Sequence, residues 1–249
     1  IDKSYASVEF DLDGTVRTAN DNFLKVLGYD LDEIKGRHHR MFCDQAYASS
    51  GDYQAFWQKL NRGEFDAGVY RRIGKGGKEI WIQASYNPIL DANGKAYKVM
   101  KVATDITAQR NQAAEFEGKI NAINKAQAAI EFNLDGTVIT ANENFLGCLG
   151  YQLDEIKGQH HRMFCDPAQT SSSEDAAFWQ KLNRGEFDAG AYKRIGKGGK
   201  EIWIQASYNP IRDANGKVYK VVKYATDITA QKKAQLEQEH LVGEAQQVL

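Results

Sequence analysis

The chain has 249 residues, with 32 lysines and arginines against 33 aspartates and glutamates, so its formal net charge is −1. This balance offers no basic excess for nucleic acid, and no apolar run approaches the roughly 18 residues that a membrane-spanning helix needs. The three cysteines are widely spaced, which excludes a disulfide framework and indicates a reducing, cytoplasmic compartment.

The chain opens with a predicted hairpin and a capped helix. Residues 7–11 (SVEFD) and 15–19 (TVRTA) alternate apolar and polar side chains around an LDG turn, which favours two antiparallel strands. Asn20 is placed to cap a helix that Gly28 ends. The start, IDKSYASVEF, has no initiating Met and no signal-peptide pattern, so we expect a piece of a longer protein.

A longer helix and three strands follow. Residues 51–63 (GDYQAFWQKLNRG) place their apolar side chains on one helical face. The three alternating strands are joined by tight turns at 75–78 and 91–95. In the middle strand, Trp81 alternates with inward-facing Ile80, so we expect a flanking helix or a partner subunit to cover the tryptophan. The order predicts an α+β domain with helices on one face of a five-stranded antiparallel sheet.

The whole pattern occurs twice. Residues 6–110 and 128–232 align without a gap and differ at 23 positions. Several of these differences lie where residues 45–54 align with residues 167–176. A unit of about 100 residues can bury its own core, unlike the shorter units of a solenoid. We therefore predict two complete domains, at 1–108 and 128–230. A helical linker joins them at 109–127, and residues 231–249 form the start of a C-terminal signalling helix.

The predicted linker has an amphipathic pattern. It contains no proline, and its apolar residues recur at spacings of three and four: Ala113, Phe116, Ile120 and Ile123. This spacing predicts a helix with an apolar stripe as narrow as that of a coiled coil. We expect such a helix, and its counterpart after the second domain, to carry a mechanical signal. The alternative is an isolated helix packed on its own domain.

Several motifs resemble PAS domains. The helix motif NxNFLxxLGY, the helix FWQKLNRGEF and the closing ATDIT carry the resemblance, which covers nearly the whole of both units. The pair is similar to the tandem PAS domains of bacterial methyl-accepting chemotaxis proteins of the aerotaxis-receptor and biofilm-dispersion-regulator type. The resemblance implies a cytoplasmic sensor of a small ligand, gas or redox state that relays its signal through helices to an output domain outside this chain.

The resemblance also implies partners. These are a homodimer formed through flanking helices and sheet faces, and a chemotaxis adaptor and histidine kinase reached through the output domain. Two other functions stay open. One is a ligand-free PAS dimerisation module, and the other is the sensor input of a histidine kinase or a cyclic-dinucleotide enzyme.

Each unit carries two adjacent histidines followed by a cysteine, in GRHHRMFCD and GQHHRMFCD. Imidazole and thiolate suit zinc, but neither unit offers the two further ligands of a structural site, so we predict no metal. The resemblance implies cofactor contacts from histidines, a tryptophan and an asparagine. The candidate residues are His38, His39, Trp57, Asn20, His160, His161, Trp179 and Asn142.

The cofactor stays undetermined at this stage. A histidine could ligate haem iron, and the aerotaxis-type resemblance suggests FAD. Four positions depart from that flavin pattern: Phe65-Asp66, Ser85, Phe187-Asp188 and Ser207. A pocket that holds another small ligand, water or only side chains is equally plausible.

The motif ATDIT ends each unit where the last strand becomes a helix. The resemblance makes this junction the signal relay, formed by Asp105, Thr107, Asp227 and Thr229. An ordinary helix cap without a switching role is the alternative. The chain has no GxSxG, P-loop or HExxH motif, so we do not expect an enzyme.

Overall fold

The computed structural model describes residues 5–167 and 172–247. The chain divides into two compact units, Ile1–Glu117 and Gly118–Leu249. The helices and strands of the first unit, with the helix that leaves it, are β1 (Ala6–Phe10), β2 (Val16–Ala19), α1 (Asp21–Leu27), α2 (Leu31–Ile34), α3 (Gln45–Ala48), α4 (Gly51–Asn61), β3 (Asp66–Ile73), β4 (Glu79–Leu90), β5 (Ala96–Asp105) and α5 (Thr107–Ala126).

The second unit repeats this order, with one exception. Between its 3-10 turn, His161–Phe164, and its third strand, the structure describes only one helix. The elements of the second unit are β6 (Ala128–Phe132), β7 (Val138–Ala141), α6 (Glu143–Leu149), α7 (Leu153–Ile156), α8 (Ser172–Asn183), β8 (Asp188–Ile195), β9 (Glu201–Arg212), β10 (Val218–Asp227) and α9 (Thr229–Gln247). The divergent stretch at 167–176 falls partly on 168–171, and the predicted last helix includes 248–249. Both of these segments lie outside the described residues.

Each unit contains one five-stranded antiparallel sheet, with strand orders β2-β1-β5-β4-β3 and β7-β6-β10-β9-β8. The first strand of each unit pairs with the last. The opening hairpin therefore forms one side of the sheet, with its second strand at the edge. The predicted fold class is confirmed. In both units the inward side of the sheet and the short helices enclose a core rich in aromatic side chains.

Local sequence determines where the first helix begins and ends. The Asn20 side chain accepts the backbone N–H of Phe23 at 2.9 Å, as a helix N-cap does. Gly28 ends the helix with φ 76°, in the left-handed region that favours glycine. The same side-chain oxygen of Asn20 also accepts from Ser7 N at 2.9 Å, so this residue joins the helix to β1. Both predicted helix limits are confirmed.

Strand β4, which lies between β5 and β3, shows the predicted alternation. Ile80 and Ile82 are buried against the core, whereas Trp81 lies on the opposite face and is half-buried. The guanidinium carbon of Arg110 lies 4.1 Å from the centroid of the Trp81 ring. A residue of the outgoing helix α5 therefore covers the tryptophan through a cation–π contact.

Helix α5 covers most of the predicted linker and buries none of its residues. Ile120 and Ile123 of the predicted stripe are 51% and 40% exposed. Among the described residues, no helix has both the length and the apolarity that crossing a membrane requires.

Candidate functional site

The two histidines of the first unit begin a 3-10 turn, His39–Phe42: His38 is its N-cap and His39 its first residue. The turn is held against the β1–β2 hairpin. The backbone N–H of His39 donates to the Gly14 carbonyl at 2.8 Å. Gly14 has φ +90°, and a Cβ at this position would lie 2.8 Å from the His38 ring. The LDG turn therefore needs glycine for its backbone conformation and for the close approach of His38.

His39 is fully buried, and both of its ring nitrogens meet tyrosine hydroxyls. Nδ1 lies 2.9 Å from Oη of Tyr53, and Nε2 lies 3.0 Å from Oη of Tyr86. The Cys43 sulfur is 3.7 Å from Nδ1. A neutral imidazole has one donor and one acceptor nitrogen, so this pair of hydroxyls satisfies it completely.

Two buried cations, Arg72 and Lys101, lie beside these side chains. The buried cluster of the first unit therefore includes His39, Cys43, Tyr53, Arg72, Tyr86 and Lys101. Arg72 on β3 is 3% exposed, and its Nη2 donates to the Tyr86 hydroxyl at 2.9 Å. Lys101 on β5 is 1% exposed, and its Nζ lies 4.9 Å from the centroid of the Tyr86 ring and 5.6 Å from that of Phe23. Sequence analysis missed both cations. The available signal was that Lys101 occupies an inward position of its strand, between Val99 and Ala103.

Burial determines the protonation states of this cluster. Loss of hydration lowers the pKa of His39 well below its ordinary value, and the charges of Arg72 and Lys101 lower it further. Burial lowers the pKa of Lys101 in the same way. Burial also raises the pKa of the Cys43 thiol and that of Tyr86, the latter to about 12. At neutral pH the imidazole is neutral and the thiol is protonated, which does not favour metal binding.

Trp57 belongs to the same cluster, whereas Asn20 does not. The centroid of the Trp57 ring lies 5.5 Å from that of His39 and 6.2 Å from that of His38. The indole Nε1 is buried without a hydrogen-bond partner among the described residues. Asn20, the helix cap, borders a cleft of about 300 Å³ that includes outward-facing Glu9. The structure thus brings three of the four candidate residues together.

The second unit repeats this arrangement with one partner changed. His161 is 3% exposed, with Nε2 2.9 Å from the Tyr208 hydroxyl and Nδ1 3.7 Å from the Cys165 sulfur. Asp175 occupies the position of Tyr53, and its carboxylate lies 3.5 Å from Nη2 of Arg162. Nδ1 of His161 therefore lacks the second tyrosine.

The remaining candidate residues of the second unit follow the first. Trp179 is 5% exposed, and the centroid of its ring lies 6.2 Å from that of His160. Asn142 caps α6, and its amide also donates to the carbonyls of Asn124 at 3.0 Å and Gln127 at 2.8 Å. Asn142 therefore anchors the end of α5 instead of facing the cluster.

The buried arginine and lysine of the second unit are Arg194 and Lys223. Arg194 donates from Nη2 to the Tyr208 hydroxyl at 2.9 Å. Lys223 is fully buried, and its Nζ has no hydrogen-bond partner within the described part of the chain. Burial lowers the pKa of Lys223 well below its ordinary value, and the charge of Arg194 lowers it further.

The predicted relay residues form one hydrogen-bonded junction. The Asp105 carboxylate accepts from the backbone N–H of Thr107 at 2.9 Å and from its hydroxyl at 2.6 Å. The same hydroxyl oxygen accepts the backbone N–H of Trp81 at 2.9 Å. The first residue of α5 is thus bonded both to the end of β5 and to the start of β4.

The junction of the second unit adds a thiol. Asp227, Thr229 and Trp203 repeat the same bonds, at 2.8 Å from the backbone N–H of Thr229 to Asp227 and 3.0 Å from that of Trp203 to Thr229. The sulfur of Cys148 also lies 3.8 Å from the Asp227 carboxylate. Burial tends to raise the pKa of Asp227, but hydrogen bonds from Thr229 and Cys148 outweigh it and lower the pKa.

The geometry tests the cofactors that the sequence left open. Both ring nitrogens of His39 are engaged by tyrosines, so this histidine offers no free nitrogen to a haem iron. Asn20 and Asn142 are engaged as helix caps, which does not fit a flavin contact. In residues 5–167 and 172–247, no group of three His, Cys, Asp or Glu side chains is arranged around a metal site. Cofactor binding by the eight candidate residues stays a prediction.

The chain thus consists of two repeated α+β domains, each with a few buried polar side chains in an aromatic core and a helix leaving its last strand. The chain belongs to the PAS fold family, whose model matches residues 16–103 and 138–225. The resemblance predicted from the sequence motifs is confirmed.

Two curated proteins and one solved structure are similar to the chain, which spans about half of the first of these proteins and less of the second. The chain is 47% identical over 229 residues to the biofilm dispersion protein BdlA of Pseudomonas aeruginosa, covering 92% of this chain and 55% of that protein. It is 32% identical over 107 residues to the aerotaxis receptor of Escherichia coli, covering 42% of this chain and 20% of the receptor. A solved PAS domain from Colwellia psychrerythraea is 22% identical, covers 46% of this chain and 98% of its own, and has a TM-score of 0.41.

Proposed function

We propose that the chain is the cytoplasmic sensory module of a chemotaxis-type transducer. Each PAS core senses a small ligand, a gas or a redox state, and passes the signal through α5 or α9 to an output domain outside this chain. A chemotaxis adaptor and a histidine kinase are the expected partners of that output domain. The observation that carries the proposal is the junction at which Thr107 is bonded to both β4 and β5.

The junction is connected to the buried cluster through one strand. Tyr86, which contacts His39 and Arg72, lies on β4, and Trp81, which is bonded to Thr107, lies five positions earlier on the same strand. A displacement of β4 relative to β5 therefore changes the bonds of the first turn of α5. A ligand produces such a displacement only if it binds the two arrangements unequally.

The relatives support a receptor of this kind. The identity of 47% to a biofilm dispersion protein extends over 229 residues, so it includes most of both PAS units. The exposed Ile120 and Ile123 on α5 support the proposed homodimer, because an apolar stripe at this spacing packs against a second copy of the same helix.

A ligand-free dimerisation module is the second candidate. The observation that favours it is the filling of the first core, in which Phe10, Phe56 and Trp57 surround His39 with ring centroids 5.3–6.0 Å away. In that case both cores are structural, and only the helices contribute to function.

The test replaces the relay carboxylate in the full-length protein. Asp105→Ala and Asp227→Ala should abolish the output response while the urea unfolding midpoint stays within the range of the controls. The matched controls are Asp13→Ala and Asp135→Ala, because each of these aspartates accepts the backbone N–H of a threonine two residues later at 2.9 Å, but in a hairpin turn. The proposal fails if the controls abolish the response equally, or if the relay variants unfold the domain.

A further inference from the structure

Each core buries two cations and no carboxylate among the residues described. Arg72 and Lys101 are 3% and 1% exposed, and Arg194 and Lys223 are 9% and 0% exposed. A buried charge is costly unless it is paired. The pair occurs in both units, so the two copies have both kept it.

The carboxylate at the edge of each core is already engaged. Asp66 accepts from Nζ of Lys59 at 2.7 Å and from the Tyr70 hydroxyl at 2.5 Å. In the second unit Asp188 accepts from Lys181 at 2.7 Å and from Tyr192. Among the described residues, neither aspartate forms a hydrogen bond or ion pair with the buried cations. In the first unit, burial raises the pKa of Asp66, but Lys59, Tyr70 and the charge of Arg72 lower it, so Asp66 balances the charge of Arg72 only from a distance.

Several donor atoms of these cations are left without a partner in the described part of the chain. They are Nε of Arg72, Nε of Arg194 and Nζ of Lys223. The other nitrogens of Arg194 are engaged, since Nη1 donates to the Lys193 carbonyl and Nη2 to Tyr208, both within 2.9 Å. What remains without any partner is one guanidinium nitrogen, Nε, and the ammonium group of the lysine.

Both cations of the second unit border the same aromatic ring. Arg194 bonds to the Tyr208 hydroxyl, and Nζ of Lys223 lies 5.0 Å from the centroid of that ring and 5.7 Å from that of Phe145. His161 meets the same hydroxyl at 2.9 Å. The unpartnered donors thus converge on one region with aromatic walls.

We propose that each core binds a small organic acid, whose carboxylate pairs with Lys223 and Arg194 in the second unit and with Lys101 and Arg72 in the first. Two donors from two sides match the two oxygens of a carboxylate, and the aromatic walls suit an apolar body. The inference rests on the proposed sensory function and names its ligand class. Because rings fill the space around Tyr208, the acid enters only by displacing them, which links binding to β9.

The test uses benzoate and hexanoate as probes, with benzamide and hexanamide as neutral analogues and inorganic phosphate as a plain anion. The full chain should show a rise in Tm with the carboxylates and none with the amides or phosphate, because a ligand of the native state stabilises it by mass action. Lys223→Met should lose the response of the second unit, and the double variant with Lys101→Met should lose it entirely.

The matched control is Lys220→Met, which removes an outward-facing lysine of the same strand that bonds to Glu131 at 2.7 Å. This variant should respond like the original chain. Acid denaturation of the purified chain, followed by negative-ion mass spectrometry, should release an organic acid that the double variant lacks.

Three outcomes overturn the inference. They are an equal response to amides and carboxylates, an unchanged response in the double variant, and the combination of no probe response with no released acid. If the Asp227 relay variant uncouples output while no acid binds, the sensory proposal stands and the ligand class is wrong. If acids bind but the relay variants leave output unchanged, the site stands and the sensory proposal is wrong.

Discussion

The two PAS units share their fold but differ around the buried histidine. In the first unit, Tyr53 and Tyr86 engage both nitrogens of His39. In the second unit, Asp175 replaces the first of these tyrosines, and His161 keeps the bond to Tyr208 at Nε2, while Nδ1 faces the Cys165 sulfur. The duplication has therefore preserved the core and altered one hydrogen-bond partner.

Two side chains near the histidine are also more exposed in the second unit than in the first. Phe56 is 8% exposed, but its counterpart Phe178 is only partly buried. Cys43 is buried, whereas Cys165 is intermediate. The second core is thus less completely enclosed, and we expect it to be the one that responds more readily to a ligand, with the first acting as the more rigid unit.

The largest effect is expected from removing the shared tyrosine hydroxyl. Tyr208→Phe leaves His161 and Arg194 without their partner and should lower the free energy of unfolding by about 2 kcal/mol, since a buried unsatisfied donor costs about 1–3 kcal/mol. Tyr86→Phe should lower it less, because Tyr53 still bonds to His39. Urea unfolding with amide exchange resolved by unit measures both, and equal losses would contradict the comparison.

The second-largest effect expected is a loss of folding stability at acidic pH. Burial holds the pKa of His39 and His161 well below the ordinary value near 6.5 in the folded chain. Below that pH the unfolded state binds protons that the folded state does not, so stability is fully present above pH ~6.5 and falls by about 1.4 kcal/mol per pH unit for each histidine.

The matched variant for this dependence is His161→Gln, which cannot titrate. Its unfolding free energy should lose one histidine's share of the slope just below pH ~6.5, a range in which the ordinary Asp and Glu pKa values do not fall. An unchanged slope would show that the imidazole is protonated in the folded state.

A smaller effect is expected when the missing hydroxyl is restored. Asp175→Tyr gives the second unit the residue that bonds to Nδ1 of the histidine in the first, and one such bond contributes about 0.5–1.5 kcal/mol. The free energy of unfolding should rise by about 1 kcal/mol, and the amides of the His161–Phe164 turn should exchange more slowly. Faster exchange would mean that the larger ring does not fit.

The smallest effect concerns the thiol that only the second junction has. Cys148→Val introduces the residue of the first unit, Val26, and removes the contact to Asp227 at 3.8 Å. Because that hydrogen bond lowers the pKa of Asp227, the pKa should rise in the variant, as measured by carboxyl carbon NMR shifts against pH. Stability should change little, because Cys148 packs against the core but is only partly buried, and valine is of similar size.

Much of the fold followed from local patterns. The alternation of Ile80, Trp81 and Ile82, the cap at Asn20 and the terminating Gly28 each depend on neighbours within a few residues, and all appear in the structure as predicted. The candidate site was only partly predictable. His39 and Trp57 meet in the core, but Asn20 serves a helix end, and the cations were not anticipated.

The sequence by itself determined two copies of one α+β unit, their strands and turns, and the helix after each, because periodicity, caps and turn residues act over short distances. Only the tertiary structure decided the chemistry of the cores. Arg72 and Lys101 lie 14 and 15 residues on either side of Tyr86, and sheet pairing brings both to its ring. Burial, which results from that packing, then sets their protonation, and no local pattern carries this information.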